Sequence, residues 1–361
     1  MSVLDELPST DDGVLLLTSD RSFGDAEGEA AYAEQFVVDA DYEVALGEGI
    51  GKVLDAIGAD RSRPAIEIGA GTGILTRPLV RRGDYPTYVI TDASLAFVRL
   101  VRDSVGETPS DVRYVVVDGA ATDRLERGAY SLVAVRYVLH HILDWEAFLT
   151  SAAALLAPGG VLLLEEPVAD GYLLQMMLAN QVRAAGGLSE QVDKDLDGFV
   201  GLTTWYLRRH VDKTLSEDKH VFALDEMRRW SDSQGLDMHV WRNLGLEELG
   251  RTDTPQTDYF AREFRHNFAV NFGFTGDTLA VFDERIAPAL EMLDLVGGHD
   301  LGPTVKAVLA FRRPKHRPVK VRARLAVAGV RRRAVPRLRA VPGLVPAARA
   351  ARKVKRKLAA R

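Results

Sequence analysis

The chain has 361 residues, a net charge of −5 and no cysteine, which excludes disulfides, thiolate catalysis and cysteine-ligated zinc or iron–sulfur sites. It contains no apolar run long enough to span a bilayer, and its acidic start lacks the basic and then apolar layout of a secretory signal. A cytoplasmic globular protein is therefore expected.

The elements predicted in chain order begin with a lead-in over residues 1–29 and a mostly helical stretch over residues 30–57. From residue 64 to 166, strand and helix patterns alternate with short connections, which indicates βαβ units and a parallel sheet. Helical inserts at about 171–210 and 255–297 then interrupt the alternation. Strands are predicted at 65–68, 87–91, 113–117, 132–135, 161–165, 238–243 and 304–311.

The two inserts are predicted to lie over the carboxyl edge of the sheet, where open α/β folds bind ligands, and to act as a substrate lid. Their aromatic residues either line an apolar substrate pocket or form the core of the lid, and the helical spacing favours the core. The globular domain is expected to span residues 30–313. The aromatic residues are Trp205, Tyr206, Tyr259, Phe260, Phe264, Phe268, Phe272 and Phe274.

Residues 314–361 form a basic tail. Asp300 is the last acidic residue, and 20 of the 46 Lys and Arg follow it, which leaves 26 basic against 51 acidic residues in the first 300. Such a division is typical of an acidic body whose appendage meets a polyanion. Interleaved aliphatic residues and the lack of aromatics after Phe311 favour an anionic membrane surface over nucleic acid. A disordered solubilising tail is the alternative.

A glycine-rich turn stands near the start of the alternating region. The segment PAIEIGAGTGILT, residues 64–76, predicts a buried strand that turns into a helix through Gly69, Gly71 and Gly73. Glycines at this kind of turn let the backbone approach a nucleotide closely. The turn therefore predicts a ligand site at the end of the first strand of the sheet.

Two aspartates follow at the ends of the next two predicted strands. Asp92 could accept hydrogen bonds from both hydroxyls of a ribose, although an isolated acidic residue there is more often a helix cap. Asp118 could accept an adenine amino group while Gly119 leaves room for the ring, although Asp-Gly alone is typical of an ordinary turn. Their order along the chain favours the nucleotide interpretation.

The glycine turn, the two aspartates, the strand that continues into VLHHILDW and the APGG turn occur in a fixed order. This set resembles the class I S-adenosylmethionine-dependent methyltransferases, nearest the ubiquinone and menaquinone methylase-like group that acts on small molecules. The resemblance covers about 50–170 and continues loosely to about 313. It implies a Rossmann-like α/β fold with a seven-stranded sheet, the last strand antiparallel, and S-adenosylmethionine as cofactor.

The resemblance also implies roles for individual residues. By family position, Glu67 and the glycine turn would hold the methionine part of the cofactor, Asp92 its ribose, and Asp118 with Gly119 its adenine. Arg136 is a departure, since small or amide residues are common at that position, and it favours an anionic substrate. The residues implied for the cofactor are Glu67, Gly69, Gly71, Gly73, Asp92, Asp118, Gly119, Arg136 and Tyr137.

Methyl transfer from a sulfonium requires alignment of the nucleophile and exclusion of water, and a hydroxyl nucleophile also requires a base. His140, His141 and Glu166 are the candidate catalytic residues, because they lie beside the carboxyl edge of the fourth and fifth strands. Glu165 is a further candidate. Ordinary packing or capping is the alternative for each. His210 and His220 rank lower, because no pattern indicates where they point.

The eight histidines show no ligand spacing such as H-x-x-x-H, so no metal is predicted. The leading hypothesis is methyl transfer to a small-molecule, lipid-linked or sugar acceptor at the cytoplasmic membrane face. The first alternative is an RNA or DNA methyltransferase with the tail as its phosphate-binding arm, which the acidic body disfavours. The second is a noncatalytic S-adenosylmethionine-binding module, which the intact glycine turn disfavours.

Overall fold

The computed structural model describes residues 3–20, 40–208, 211–241, 259–297 and 304–315. Its centre is an eight-stranded sheet that matches the predicted Rossmann-like class. The strands are β1 (Leu15–Leu16), β2 (Ala65–Ile68), β3 (Thr87–Asp92), β4 (Asp111–Val116), β5 (Tyr130–Arg136), β6 (Leu156–Pro167), β7 (Asp237–Trp241) and β8 (Lys306–Arg312).

The strand order is β1-β4-β3-β2-β5-β6-β8-β7. Pairing is parallel from β1 to β6, whereas β8 runs antiparallel to both β6 and β7. The order reverses between β2 and β5, which places the ligand-binding edge of an open α/β sheet at the carboxyl ends of these two strands. The antiparallel last strand agrees with the prediction.

The sheet has one strand more than the seven expected. Leu15 and Leu16, within the predicted lead-in, pair with Val115 and Val116 of β4. Two residues are too short for an alternating pattern to be visible in the sequence. The end of this segment therefore lies beside the carboxyl end of β4, where Asp118 follows.

The helices cover both faces of the sheet and build the inserts. The helix Leu224–Gln234 ends at Gly235, which adopts the left-handed conformation. The α-helices are α1 (Ala40–Ala56), α2 (Thr76–Arg82), α3 (Leu95–Val105), α4 (Trp145–Leu155), α5 (Ala169–Ala185), α6 (Glu190–Leu207), α7 (Leu224–Gln234), α8 (Tyr259–His266), α9 (Gly276–Val281) and α10 (Ala287–Gly297). Single turns of 3-10 helix lie at Val3–Glu6, Gly119–Arg124 and Leu139–His141, and π-helical turns at Asn267–Asn271 and Phe282–Ile286.

The first insert is two helices rather than one continuous helical region. Gly186 and Gly187 both have positive φ, 73° and 72°, and separate α5 from α6. Ser189 then caps α6 by accepting a hydrogen bond from the Val192 amide. The described part of the second insert begins at α8 and is likewise divided into short helices. Residues 209–210, 242–258, 298–303 and 316–361, which include His210 and nearly all of the tail, lie outside the described residues.

The sheet core has two layers, because successive side chains of a strand point to opposite faces. Ile66, Val133 and Leu164 belong to one layer, whereas Ala65 and Leu132 belong to the other. Strands buried on both faces explain the nearly continuous apolar runs in the sequence.

The inserts have a hydrophobic core of their own. Edge-to-face contacts join Phe199, Phe268 and Phe282 at centroid distances of 4.8 and 5.4 Å. Phe260 and Phe264 are fully buried in the same cluster. Of the predicted lid aromatics, Trp205, Tyr206 and Phe272 are half-buried and the side chain of Tyr259 is not described. Most of the described aromatics therefore pack as core.

The inserts are attached to the carboxyl edge of the sheet. The Gly171 amide donates to the Thr304 carbonyl just ahead of β8, and the Lys219 amide donates to the His140 carbonyl after β5. Glu263 of α8 accepts hydrogen bonds from the Thr304 hydroxyl at 2.6 Å and the Val305 amide at 3.3 Å. Among the described helices, none is long and apolar enough to cross a membrane.

Candidate active site

The glycine turn after β2 is held by backbone hydrogen bonds to β3. The Gly69 and Ala70 amides both donate to the Thr91 carbonyl at 2.9 Å. Gly71 has a φ of 52°, and no atom lies within 4 Å of the place where its Cβ would be. An open, left-handed position of this kind lets a ligand approach the backbone as only glycine allows.

Asp92 links the glycine turn to the start of α3. Its Oδ2 accepts the Gly71 amide and its Oδ1 accepts the Ser94 amide, both at 2.9 Å. The carboxylate is half-buried, and a carboxylate oxygen can accept more than one hydrogen bond. The helix-cap role and the ribose-binding role are therefore compatible, because the cap orients the carboxylate beside the turn.

Asp118 and Gly119 lie at the next strand end. A Cβ on Gly119 would meet Phe148 at 3.5 Å and Ile142 at 3.6 Å, so an apolar wall stands beside the glycine. The Asp118 amide donates to the Thr18 hydroxyl at 3.0 Å, which joins the N-terminal segment to this edge. A flat ring between the wall and the aspartate would find both apolar contact and an acceptor.

Glu67 lies beneath the glycine turn with 2% of its surface exposed. Its Oε2 accepts the Thr76 hydroxyl at 2.6 Å, and burial raises the pKa of its carboxyl to about 8. The turn is supported on its outer side by Arg77, whose guanidinium donates to the Thr72 carbonyl at 2.7 Å and pairs with Glu43. Sequence patterns missed Arg77 and Glu43, because their pairing joins α1 to α2 over 34 residues.

The residues at the carboxyl ends of β5 and β6 form two separate networks, because Glu165 and Glu166 point to opposite sides of β6. Arg136 Nε lies 2.7 Å from Glu165 Oε2, and both side chains are 12% exposed. Burial raises the pKa of the Glu165 carboxyl, but Arg136 and Lys306 outweigh that effect and hold it below its usual value. Lys306 Nζ lies 3.9 Å from Glu165 Oε1.

Tyr137 lies between the two networks. Its hydroxyl donates to Glu165 Oε1 at 3.2 Å, and its ring lies under the Arg136 guanidinium at 4.6 Å and edge-on to His140. Among the described residues it is the only non-glycine with a positive φ, 52°. A bulky residue in this conformation costs on the order of 1–3 kcal/mol, and such strain clusters at functional sites.

The second network is a histidine–carboxylate pair. His140 Nδ1 lies 2.7 Å from Glu166 Oε2, and the Val138 and Leu139 amides donate to Glu166 Oε1 at 2.9 and 2.7 Å. Glu166 is fully buried and His140 is 12% exposed. Because a carboxylate only accepts, Nδ1 carries the hydrogen and Nε2 is left to exchange a proton. Burial lowers the pKa of His140, but the bond to Glu166 together with the negative charges of Glu166, Asp218 and Glu217 outweighs burial and raises the pKa overall.

His141 and Asp218 stand beside this pair. Asp218 Oδ1 lies 3.3 Å from His141 Nδ1 and 3.5 Å from His140 Nε2. The three ligand atoms lie within 4.8 Å of one another, the separation at which one metal ion could bind them. The sequence predicted no metal because its histidines lack regular ligand spacing, whereas Asp218 comes from a different segment of the chain.

The remaining predicted histidine is outside both networks. His220 Nε2 lies 3.3 Å from the Leu143 carbonyl, and burial lowers its pKa. The structure thus brings twelve predicted residues to one edge of the sheet, and their roles in binding and catalysis stay predictions. They are Glu67, Gly69, Gly71, Gly73, Asp92, Asp118, Gly119, Arg136, Tyr137, His140, His141 and Glu166.

Comparison with known proteins matches the methyltransferase domain family over residues 41–239. The equisetin synthetase of Fusarium heterosporum is 33% identical over 113 residues, 30% of this chain and 3% of that protein. The fumosorinone synthetase of Cordyceps fumosorosea is 31% identical over 185 residues, 50% of this chain and 4% of that protein. The chain thus spans only a few per cent of the length of these relatives. Among solved structures, the CurJ carbon methyltransferase matches with a TM-score of 0.42 and 16% identity, covering 79% of this chain and 58% of that one.

The sheet order and the family match define a class I S-adenosylmethionine-dependent methyltransferase. The chain belongs to the methyltransferase domain family, and its enzymatic class and cofactor follow from that membership. The residues present fit S-adenosylmethionine. Along one edge of the sheet lie the open position at Gly71, the oriented carboxylate of Asp92 and the apolar wall beside Gly119. The likeness to the ubiquinone and menaquinone group stays a prediction.

Proposed function

We propose that this methyltransferase alkylates a small-molecule acceptor that must first lose a proton, with His140 as general base and Glu166 as the residue that orients it. The supporting observation is the His140–Glu166 pair at 2.7 Å, in which a fully buried carboxylate fixes the tautomer of a slightly exposed imidazole. A base of this kind contributes about 10²- to 10⁴-fold to a rate.

S-adenosylmethionine, which Asp92 and the turn at Gly71 would hold, would supply an electrophilic methyl group and a sulfur leaving group that takes the electron pair of the broken S–CH3 bond. His140 Nε2 takes the proton from the acceptor atom, so that the electron pair of that bond becomes the nucleophile. Glu166 stabilises the resulting imidazolium through Nδ1–H. Asp92 and the turn at Gly71 hold the cofactor against the edge from which His140 projects.

We favour an acceptor carbon that lies between two carbonyl groups. Its C–H is acidic enough for a histidine, whereas N-methylation of a neutral amine needs no buried base. This choice is supported by the names of relatives, because polyketides carry such carbons. Two relatives are named as synthetases, and one from Phaeosphaeria nodorum is named as a highly reducing polyketide synthase. The positive charges of Arg136 and Lys306 at this edge of the sheet would stabilise the negative charge that develops on the carbonyl oxygens. A hydroxyl of a sugar or lipid-linked acceptor is the second candidate.

The test is transfer of label from methyl-labelled S-adenosylmethionine to three matched acceptors: a β-ketoacyl thioester, the corresponding β-hydroxyacyl thioester and a simple sugar. Wild-type enzyme should label the ketoacyl compound at carbon, and His140→Ala should lose about 10²- to 10⁴-fold in kcat while it binds cofactor as before. His220→Ala is the matched control. Label on oxygen would favour the second candidate, and an unimpaired His140→Ala enzyme would refute the base.

We further propose that the basic tail binds an anionic membrane surface on the cytoplasmic side. The support is its composition: Arg331, Arg332, Arg333 and further basic clusters stand among aliphatic residues and no acid. Full-length protein should sediment with phosphatidylserine vesicles at low salt and be released at high salt. Arg331→Gln, Arg332→Gln and Arg333→Gln together should weaken that binding, and stronger binding to oligonucleotides than to vesicles would overturn it.

A further inference from the structure

We propose that His140, His141 and Asp218 form a binding site for a divalent transition-metal ion such as Zn²⁺, and that this ion competes with the acceptor proton for His140. The competition rests on the proposed function, whereas the binding does not. Among the described residues, this is the group of histidine and carboxylate side chains close enough together to hold an ion.

The separations fit tetrahedral coordination. Zinc bonds of about 2.0–2.1 Å to imidazole nitrogen and carboxylate oxygen place neighbouring ligand atoms about 3.3 Å apart. Asp218 Oδ1 lies 3.3 Å from His141 Nδ1 and 3.5 Å from His140 Nε2. Two edges of the tetrahedron are therefore already present. The third, between the two imidazoles, is at most 4.8 Å, so metal binding must draw the His141 ring closer to His140.

Glu166 prepares His140 as a ligand. A metal-binding histidine usually donates its other N–H to a carboxylate, which fixes the tautomer and orients the ring. Glu166 lies at that position, 2.7 Å from Nδ1, and is itself held by the Val138 and Leu139 amides. The lone pair of Nε2 is thereby directed away from the buried carboxylate, towards Asp218.

The segment that carries Asp218 is tied to the histidine turn. The Lys219 amide donates to the His140 carbonyl at 2.8 Å, which keeps the aspartate beside the two rings. His141 Nδ1 lies 3.2 Å from the Glu217 carbonyl, which only accepts, so Nδ1 donates its hydrogen there. Metal binding at Nδ1 must therefore displace that hydrogen bond and move the proton to Nε2. Asp218 is 51% exposed, and an ion can therefore enter from solvent.

Three protein ligands of two imidazoles and one carboxylate suit zinc, cobalt or nickel better than magnesium or calcium. They leave a fourth position for water. Because one lone pair on His140 Nε2 cannot hold both a metal ion and a proton, the bound ion removes the proposed base. Zinc is thus expected to inhibit methyl transfer in competition with deprotonation of the acceptor.

The binding test is titration of the full-length chain with Co²⁺, followed by its visible absorption, and displacement by Zn²⁺. Asp218→Asn and His141→Ala should each weaken binding by about 10- to 100-fold or more, and Glu166→Gln by a similar factor through His140. His239→Ala, which removes an exposed histidine of β7, should bind as wild type does. Equal affinity of Asp218→Asn, His141→Ala and wild type would refute the site, as would no binding by wild type.

The activity test separates this inference from the proposed function. Zinc at saturating concentration should suppress methyl transfer by wild type, whereas half-inhibition of Asp218→Asn, measured against the zinc-free rate of that variant, should require at least about tenfold more zinc. If zinc binds at this site and methyl transfer continues unchanged, both the competition and the base role of His140 are refuted. If wild type does not bind zinc but His140→Ala still loses methyl transfer, the metal site is refuted and the proposed base is not.

Discussion

Glu165 and Glu166 are neighbours in sequence but hydrogen-bond to basic side chains of different kinds. Glu165 faces Arg136, with Tyr137 and Lys306 beside it, whereas Glu166 faces His140 and two backbone amides. The guanidinium does not lose its proton under any physiological condition, and the imidazole does so readily. The first pair can therefore only hold charge in place, while the second can move a proton.

The difference shows how one strand end can serve two purposes. Alternation along β6 sends the two carboxylates to opposite sides, so neither competes for the other's partner. Tyr137 stands between them in a strained conformation that lets the chain turn from Arg136 to His140. Substitution of each carboxylate should therefore affect a different property, either the rate or the stability.

The largest expected effect is on catalysis through Glu166. Glu166→Gln replaces one acceptor oxygen by an amide and loosens the tautomer of His140, so kcat should fall by about 10²- to 10⁴-fold. Steady-state assays with the β-ketoacyl acceptor measure it, and cofactor affinity by calorimetry should change little. Glu165→Gln is the matched variant and should retain most of the rate. Equal losses in kcat would mean that the two carboxylates do not divide their roles.

The second effect is on stability through Glu165. Glu165→Ala leaves Arg136 buried without its carboxylate, and loss of one partner of a buried pair costs about 3–5 kcal/mol in the free energy of unfolding. Urea denaturation measures the change. Glu165→Gln keeps a hydrogen-bond acceptor and should cost less. If Glu165→Ala unfolds at the wild-type urea concentration, the pair contributes nothing to the fold.

The third effect contrasts these paired carboxylates with Glu263, which is 7% exposed and bonds to the neutral donors of Thr304 and Val305. Burial raises the pKa of Glu263 to about 7 from 4.5, so the folded state binds its proton more tightly than the unfolded state. The contribution of Glu263 to the free energy of unfolding is complete below about pH 4.5 and is lost as the pH rises to about 7. The free energy of unfolding changes by roughly 3 kcal/mol over this range.

Glu263→Gln should flatten that part of the profile of unfolding free energy against pH. Denaturation at several pH values between 4.5 and 7.5 measures the slope for both proteins. Glu291→Gln, an exposed glutamate of α10, is the control and should leave the slope unchanged. An identical slope in Glu263→Gln and wild type would show that Glu263 does not hold the lid to β8 in its protonated form.

The smallest expected effect comes from Tyr137→Phe, which removes only the hydroxyl that donates to Glu165. One hydrogen bond to a partner that keeps its salt bridge is worth about 0.5–1.5 kcal/mol in unfolding free energy. Thermal and urea denaturation measure the loss, and kcat should stay near the wild-type value. A fall in kcat as large as that of Glu166→Gln would place the Tyr137 hydroxyl in the reaction.

Much of the fold could be predicted from local patterns. Seven strands and the glycine turn were identified, the central strands because they are buried on both faces and mostly apolar, and the turn because it requires glycine. Strand β1 was missed because its pairing with Val115 and Val116, not its two-residue pattern, makes it a strand. The break between α5 and α6 was missed although Gly186 and Gly187 marked it.

The sequence by itself determined the class of protein and its sheet, because the order of glycine turn, strand-end aspartates and apolar strands is a local property of the chain. It also identified His140 and Glu166 as candidates. Only the tertiary structure decided that these two form a pair 2.7 Å apart, that Glu165 belongs to Arg136, and that Asp218 joins the histidines. Those contacts join residues up to 78 positions apart. The pairing of β5 with β6 brings the first two together, and the hydrogen bond from the Lys219 amide to the His140 carbonyl holds Asp218 beside the histidines, which no local pattern records.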